Sequence, residues 1–421
     1  GESGKTKIFL YESDASAGSL EEHLAYLSGG KGDYLCKDEK HETVYQIKGG
    51  KIMRDQRIRI LTIANMNSDS GVACFLLNYL RAMDMKKFRM DFVCWDKRED
   101  NCYADIKKMG GRVFLVTSYK KNPIRFLAEI RKLVKQGGYD IIHGHEAIMS
   151  LPALWYGKKY KVPVRIAHSH SVGMTSPVKE LIASVSRHAF ERYCTDVMAC
   201  SKMAGDYLFG DQVFQERGQV LHNAIRTEEY AFQTEVRERL RRELGADKEL
   251  VIGHVGRFNE NKNHKFLVDV FEKVLEKEKD ALLLLIGEGE TMDDVKKQVS
   301  EKGMERQVRF LGINKNVNEW LPAMDVFAFP SFAEGLGIVL IEAQAAGLPC
   351  CCTDTIPGEA KCSENMVFLS LNEKKDVWAE TLLDMRVEDR AAGTQNVRNA
   401  GYDELEEANK LERFYVEASA R

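Results

Sequence analysis

The chain has 421 residues, 44 % of them hydrophobic and 30 % charged, with a net charge of −3. That composition is ordinary for a globular protein, and the length suggests two or three domains at roughly 150 residues each. The charge argues against a general nucleic-acid binder, and no apolar run approaches the ~20 residues of a membrane span. Ten cysteines occur without a CxxC pair; Cys350, Cys351 and Cys352 are consecutive and cannot all pair with one another. They read as reduced, packed thiols of a cytoplasmic protein.

Residues 1–52 are polar, rich in Gly and Lys, and lack sustained periodicity. They open on GESGKT, the end of a phosphate-binding loop pattern, but the first glycine of that pattern and the strand before it are missing, so coincidence is the better reading. Lys48 to Lys51 reads KGGK, just before Met53, and codons for those residues can spell a purine-rich ribosome-binding sequence. The expectation is a native start at Met53, with 1–52 a translated leader or fusion remnant.

From Arg57 the pattern changes. RIRILTIA reads as a strand, NMNSDSG as a loop and VACFLLNYLRAM as a helix. The alternation continues through RMDFVCW, YADIKKMG, RVFLVT, NPIRFLAEIRKLVKQGG, YDIIHGH, IMSLPALWYGKKY, VPVRIAHSH, VKELIASVSRHAFERYCT, DVMACS, KMAGDYLFG and QVLHNAI. Residues 226–249 are charged and strand-free, a linker plus one amphipathic helix. A second series follows: ELVIGHVGRF, HKFLVDVFEKVLEK, ALLLLIGEG, TMDDVKKQVSEKG, VRFLGI, VNEWLPAM, DVFAFPS, IVLIEAQAA and PCCCTD. Strands alternating with helices imply parallel sheets covered on both faces. The expected α/β layout is two Rossmann-like, doubly wound domains at 53–225 and 250–385, the linker at 226–249, and a C-terminal helical segment at 386–421.

The most informative stretch is FPSFAEGLGIVLIEAQAAGLP, from Phe329 to Pro349. Glu334 and Glu342 stand in it with seven residues between them. Gly335 and Gly337 mark a loop, Ile338 to Ala346 are good helix formers, and Gly347 and Pro349 end the helix. Glu334 is therefore expected in the loop after a strand and Glu342 about a turn and a half into the helix. In parallel sheets ligands bind at strand carboxyl ends, and free N–H groups at a helix start suit a phosphate. Acceptor-only carboxylates beside them suit sugar or ribose hydroxyls. Upstream, Gly256-Arg257-Phe258-Asn259-Glu260-Asn261-Lys262 follows the strand VIGHV and offers two cations in the same kind of loop, as a diphosphate leaving group needs. Gly287-Glu288-Gly289 repeats the glycine-loop theme after ALLLLI.

GRFNENKN followed by FAEGLGIVLIEAQAAGLP resembles the signature of retaining GT-B glycosyltransferases of family GT4, of the kind found in bacterial exopolysaccharide and capsule synthesis. LIGEGE, VRFLG and AMDVFAFPS are similar to family landmarks, and the resemblance covers about residues 57–385. It implies a GT-B fold with two domains facing a central cleft. Arg257 and Lys262 would hold the donor diphosphate, Glu334 the donor-sugar hydroxyls and Glu342 the ribose hydroxyls. The backbone N–H groups of Leu336, Gly337 and Ile338 would meet the phosphates, with Gly256 beside them and the base near Gly312 to Val317. In the first domain Gly71 would approach the donor phosphate, with Ser70 where the family has a paired glycine. Asn223 resembles the asparagine at the domain junction. One histidine after the VP-strand is functional in the family; spacing leaves His168 and His170 both open.

His143, His145, His168 and His170 admit other readings: metal ligands, or caps of strand ends. No Cys or carboxylate stands at a matching spacing, so no metal and no other cofactor is expected. The absence of an Asp-x-Asp pair disfavours a metal-dependent GT-A enzyme, and the absence of GxGxxG after a strand disfavours a nicotinamide enzyme. Basic residues concentrate in the first domain, among them Lys86, Lys87, Arg89, Lys120, Lys121, Arg125, Arg131, Lys132, Lys135, Lys158, Lys159 and Lys161. They read either as solvated helix faces or as a peripheral contact with an anionic membrane at its inner face.

The expected function is retaining transfer of a hexosyl-type sugar from a nucleotide-sugar, of the UDP type, to a carbohydrate or lipid-linked acceptor hydroxyl in polysaccharide or glycolipid biosynthesis. The alternatives are a sugar phosphorylase or hydrolase of the same fold, and a non-catalytic partner subunit.

Overall fold

The computed structural model describes residues 56–67, 70–95, 99–170, 186–314, 316–387 and 389–421, preceded by the backbone of four short strands. These are β1 (Thr6–Lys7), β2 (Tyr34–Lys37), β3 (Val44–Lys48) and β4 (Lys51–Arg54), which form a sheet of their own in that order. The strands β2, β3 and β4 pair antiparallel, and Met53 lies in β4 opposite Gln46.

The described residues separate into two compact units. The first takes those within Gly1–Ser169, Gly173–Gln219 and Lys410–Arg421; the second takes His170–Val172 and Val220–Asn409.

Unit 1 carries β5 (Ile58–Ile63), α1 (Gly71–Ala82), β6 (Phe88–Cys94), α2 (Tyr103–Lys108), β7 (Arg112–Leu115), α3 (Pro123–Gln136), β8 (Ile141–Gly144), α4 (Ala147–Lys159) and β9 (Val164–Ser169). The helix α5 is described over 186–193, and β10 (Asp196–Ala199), α6 (Lys202–Phe209), α7 (Asp211–Arg217) and β11 (Gly218–Val220) follow. The seven-stranded sheet has the order β11-β10-β9-β8-β5-β6-β7, and the pairings from β10 to β7 are parallel. The chain runs outward from β5 through β6 to β7, then returns to the other side of β5 for β8. The topological switch point is therefore between β5 and β8.

Unit 2 carries α8 (Thr234–Leu244), β12 (Val251–Val255), α9 (His264–Lys277), β13 (Leu282–Ile286), α10 (Met292–Glu301), β14 (Val308–Phe310) and α11 (Val317–Trp320). After these come β15 (Val326–Phe329), α12 (Ile338–Ala345), β16 (Cys350–Thr353), β17 (Met366–Leu369), α13 (Lys375–Asp384), α14 (Gly393–Asn399) and α15 (Glu404–Ser419), whose last turns belong to unit 1. Its six strands are all parallel, in the order β14-β13-β12-β15-β16-β17, so its switch point is between β12 and β15.

Burial on both faces explains the unbroken apolar strands: all five residues of β13, LLLLI, are buried. The three consecutive cysteines follow from strand alternation. Cys350 and Cys352 face the layer of Phe327, Phe329 and Leu340, while Cys351 faces that of Phe271, Val326 and Trp378. They are free thiols, and burial pushes Cys352 up to about 12. The helix α12 ends where Gly347 turns left-handed (φ 69°) and Leu348 N–H reaches Ala343 O at 3.0 Å.

One expected strand is a correction. QVLHNAI yields only β11; from Leu221 the segment is irregular. Its backbone groups go elsewhere: His222 N–H donates to Glu407 Oε2 at 2.8 Å, and Ile225 bridges to Asp403. Asn223 therefore stands in a loop held by the C-terminal helix. The helices α7 and the strand β17 are additions to the expected list, and the start of the helix expected over 178–195 lies outside the described residues.

Candidate active site

Within unit 2 the loops after β12 and β15 flank the switch point, and these carry the two cations and Glu334. The turn Glu260–Lys262 is a 3-10 helix capped by Asn259, whose side chain accepts Lys262 N–H at 3.0 Å. That cap directs Lys262 across to the neighbouring loop, where its ammonium meets Glu334 Oε1 at 2.5 Å. The two side chains are 17 % and 16 % exposed, so the pair is mostly shielded from water. The ammonium also stands 4.7 Å from the centre of the Phe329 ring, a cation–π contact.

Asn261 joins the two loops. Its Nδ2 donates to Ala333 O at 2.8 Å and to Glu334 Oε1 at 3.3 Å, and its carbonyl accepts Phe332 N–H at 2.8 Å. Sequence reasoning passed over it, because an Asn in a polar loop carries no periodicity signal. Arg257 is placed differently from Lys262: it is 64 % exposed and sits 3.4 Å from Glu290. The loop between them is held close to the next one by glycine. Gly287 has φ 139°, and a Cβ there would lie 2.0 Å from Gly256 O.

The helix α12 opens on Gly337, which is left-handed (φ 75°, ψ 62°), and no side chain caps its N-terminus. The first turn holds no acidic residue, so the positive end of the helix is not offset there, and a Cβ at Gly337 would stand 3.9 Å from Glu334 Cβ. Leu336 is buried and anchors the turn.

Glu342 lies in α12, half-buried, with its carboxyl desolvated. Burial pushes its pKa up to about 7, and a hydrogen bond from Tyr230 Oη to Oε1 at 3.0 Å opposes that rise. Tyr230 comes from the 3-10 turn Thr227–Tyr230 in the linker. Its place in TEEY gave no hint of this contact.

His170 belongs to unit 2, where its side chain hydrogen-bonds Asn223. Its carbonyl oxygen faces Gly335, so close that a Cβ there would stand 3.6 Å from it. Burial pushes the imidazole down to about 3, against the opposing hydrogen bond from Asn223, and the ring is neutral. His170, Asn223 and the Glu334–Gly335 loop thus come together in one unit.

His168 goes elsewhere. Within unit 1, His143, His145 and His168 are 0 %, 4 % and 1 % exposed, and their ring nitrogens lie within 4.8 Å of one another. His143 Nδ1 meets Tyr415 Oη at 2.6 Å, and Phe75 packs edge-on against His168 at 5.2 Å. The cluster is all histidine: no Cys or carboxylate joins it among the described residues. Spacing alone had left His168 and His170 equivalent.

At the switch point of unit 1, Glu146 accepts Asn65 N–H at 3.2 Å, and burial raises its carboxyl pKa. Ala147, the next residue, has φ 28°, an unusual value for a non-glycine. Sequence reasoning also missed Glu146, although HGHE at a strand end is the signal that points to it. Gly71 opens α1, with nothing within 4 Å of the position a Cβ would take.

The two parallel Rossmann-like units have the architecture of a GT-B glycosyltransferase. Comparison with known proteins agrees. The profile "Glycosyltransferase Family 4" matches residues 70–229, and "Glycosyl transferases group 1" matches residues 236–388. The putative glycosyltransferase EpsF of Bacillus subtilis (strain 168) is 33 % identical over 341 residues, covering 78 % of this chain and 88 % of that protein. The chain belongs to this glycosyltransferase family and is similar to bacterial exopolysaccharide and capsule enzymes. The Escherichia coli UDP-Gal:alpha-D-GlcNAc-diphosphoundecaprenol alpha-1,3-galactosyltransferase is 23 % identical over 380 residues, 86 % of this chain and 97 % of that one. Among solved structures, Anabaena HepE in complex with UDP and glucose matches with a TM-score of 0.70 at 16 % identity, covering 86 % of this chain and 100 % of that one.

Proposed function

We propose that this glycosyltransferase moves a hexosyl-type sugar from a UDP-sugar to an acceptor hydroxyl, with retention of configuration, in polysaccharide or glycolipid assembly. The observation that carries the proposal is the Lys262–Glu334 pair at the β12/β15 switch point, beside the uncapped start of α12. The diphosphate binds Lys262, the N–H groups of Leu336, Gly337 and Ile338, and Arg257, which is exposed and swings in from Glu290. Charge builds on that leaving group as the glycosidic bond breaks, so cations and N–H dipoles fixed there lower the barrier directly.

When phosphate oxygens take Lys262, the Glu334 carboxylate is released to accept sugar hydroxyls. Glu342, steered by Tyr230, takes the ribose hydroxyls. His170, neutral and tied to Asn223, hydrogen-bonds the donor sugar. Unit 1 supplies the acceptor side. Support for the UDP-type donor comes from relatives: a galactosyltransferase named for UDP-Gal and a solved structure holding UDP and glucose. The first of these is also named for a lipid-linked acceptor, which favours a lipid-linked sugar here.

The test is a panel of UDP-hexoses with a polyprenyl-diphosphate sugar as acceptor, followed by UDP release and by NMR of the new anomeric centre. Acceptor-dependent UDP release with a retained anomer supports the proposal. Release of free sugar without acceptor, or an inverted product, overturns it.

A further inference from the structure

We propose that Phe332 is a stacking platform for the sugar ring of the acceptor, a specificity-determining residue on the loop after β15. The inference rests on the donor reading of Glu334 given above and extends it to the second substrate.

Phenylalanine is a core residue in unit 2. Phe327 and Phe329, in the strand just before this loop, are fully buried, and Phe258, Phe266 and Phe271 are buried as well. Phe332 departs from that pattern. It is 51 % exposed, the one exposed phenylalanine among the described residues, and it stands two residues before Glu334. Single exposed apolar side chains are common on protein surfaces, so the placement of this one carries the argument.

The backbone on either side of the ring is fixed. Ser331 is fully buried, and its carbonyl accepts Thr353 Oγ1–H at 2.7 Å and Thr355 Oγ1–H at 3.4 Å. Phe332 N–H donates to Asn261 O at 2.8 Å, and Ala333 O accepts from Asn261 Nδ2 at 2.8 Å. The same Nδ2 reaches Glu334 Oε1 at 3.3 Å. The exposed ring is therefore carried by a peptide segment that the loop after β12 and the end of β16 hold still. A group fixed in this way loses little freedom when a ligand settles on it.

A pyranose has a rim of hydroxyls and a flatter face of C–H groups. A carboxylate suits the rim, and the negative face of an aromatic ring suits the weakly positive C–H hydrogens. Glu334 is the inner group, 16 % exposed and paired with Lys262, and on the reading above it grips the donor sugar. Phe332 is the outer group of the same loop. An acceptor hydroxyl must reach the anomeric carbon of that donor sugar, so the sugar that bears the hydroxyl lies against whatever borders the loop. The Phe332 ring is the apolar surface offered there.

Saturation-transfer NMR tests the contact without turnover. The probes are methyl β-glucopyranoside and methyl N-acetyl-β-glucosaminide, each measured on the full chain with and without UDP. The variants are Phe332→Tyr, which keeps an aromatic face, and Phe332→Leu and Phe332→Ala, which remove it. The expected result is saturation of the ring C–H protons of at least one glycoside in the wild type and in Phe332→Tyr, lost in the other two. In steady-state transfer, the acceptor KM should rise about tenfold in Phe332→Leu and Phe332→Ala and be restored in Phe332→Tyr, with donor KM and UDP affinity unchanged. No transfer of saturation to either glycoside in the wild type, equal transfer in Phe332→Leu, or a loss of UDP affinity in Phe332→Ala overturns the assignment. Absence of UDP binding to the wild type would contradict the donor reading instead, and the glycoside signal is read separately from it.

Discussion

The ammonium of Lys262 stands 2.5 Å from the carboxylate of Glu334, and both side chains are largely shielded from water. In the structure each group satisfies the other. On the proposed reading, a diphosphate and a sugar ring part them, each then acquires a substrate partner, and the pair couples the phosphate half of the donor to the sugar half.

Lys262→Ala and Glu334→Ala are expected to lower kcat by about 10²–10³ each, the usual cost of one preorganised charged contact to a transition state. The double variant should lose little more than either single one, because the two residues act as a unit. Steady-state UDP release measures all three. Circular dichroism should stay native. Near-normal turnover in either single variant would contradict the role given to the pair.

Glu342 should make donor binding depend on pH. Its pKa is raised to about 7 by burial, so it is neutral in acid and ionised above that value. A carboxylate accepts two ribose hydroxyls better than a carboxylic acid does, so UDP affinity should rise from pH 6 to pH 8. The stability effect has the opposite sign. The native state holds this proton more tightly than the unfolded chain, so stability falls as pH rises from the unfolded carboxyl range through about 7. Glu342→Gln should abolish the rise in affinity and melt higher than wild type at pH 8. Tyr230→Phe removes the donor at 3.0 Å and should move the midpoint of the affinity profile upward. Calorimetric titration across this range reads both; an affinity flat in pH for the wild type would exclude the role.

His170 is depressed to about 3, so it binds no proton in the native state over the working range, while the unfolded chain takes one up below about 6.5. Its contribution to stability is therefore fully present above that value and lost as pH falls towards 3. His170→Gln should flatten the acid side of the melting-temperature profile. Turnover should show no ionisation assignable to this imidazole, and His170→Ala should cut kcat by about 10²–10³, the cost of one preorganised hydrogen-bonding group. His168→Ala should instead act through packing, since His168 lies in the buried cluster with His143 and His145. A kcat loss for His168→Ala at full stability, with His170→Ala unaffected, would reverse this assignment.

Gly287→Ala should damage the site from a distance. The added Cβ would stand 2.0 Å from Gly256 O, at a φ of 139° that alanine rarely adopts. Backbone must shift, at a cost of about 1–3 kcal/mol. Chemical denaturation should register that loss, and UDP affinity should fall with it because the loop that starts at Gly256 also carries Lys262. An unaltered denaturation midpoint would contradict the packing described.

Much of the candidate donor site was legible because strand ends announce themselves. VIGHV and VFAF are apolar runs broken by glycine, proline and polar residues, so the loops after β12 and β15 could be placed before any contact was seen. Asn261, Tyr230 and Glu146 were not legible, because their importance depends on which loops converge. Asn261 is 73 residues from the Glu334 it bonds, and Tyr230 is 112 from Glu342. His168 and His170 were inseparable for a local reason. Both stand at the end of one apolar run, and β9 ends at Ser169 between them, so one stays in the core of unit 1 and the other leaves it. The LHNAI segment reads as strand because its alternation is apolar enough, while the partners that claim its backbone come from α15 and the residues just before it.

Calorimetric titration of UDP into the wild-type chain and into Lys262→Ala tests the central claim most directly. The account predicts saturable binding at one site in the wild type and at least about tenfold weaker binding in the variant, the loss of one charge-assisted contact to phosphate. Wild-type binding that is absent, or equal in the two proteins, would contradict a diphosphate site built on Lys262.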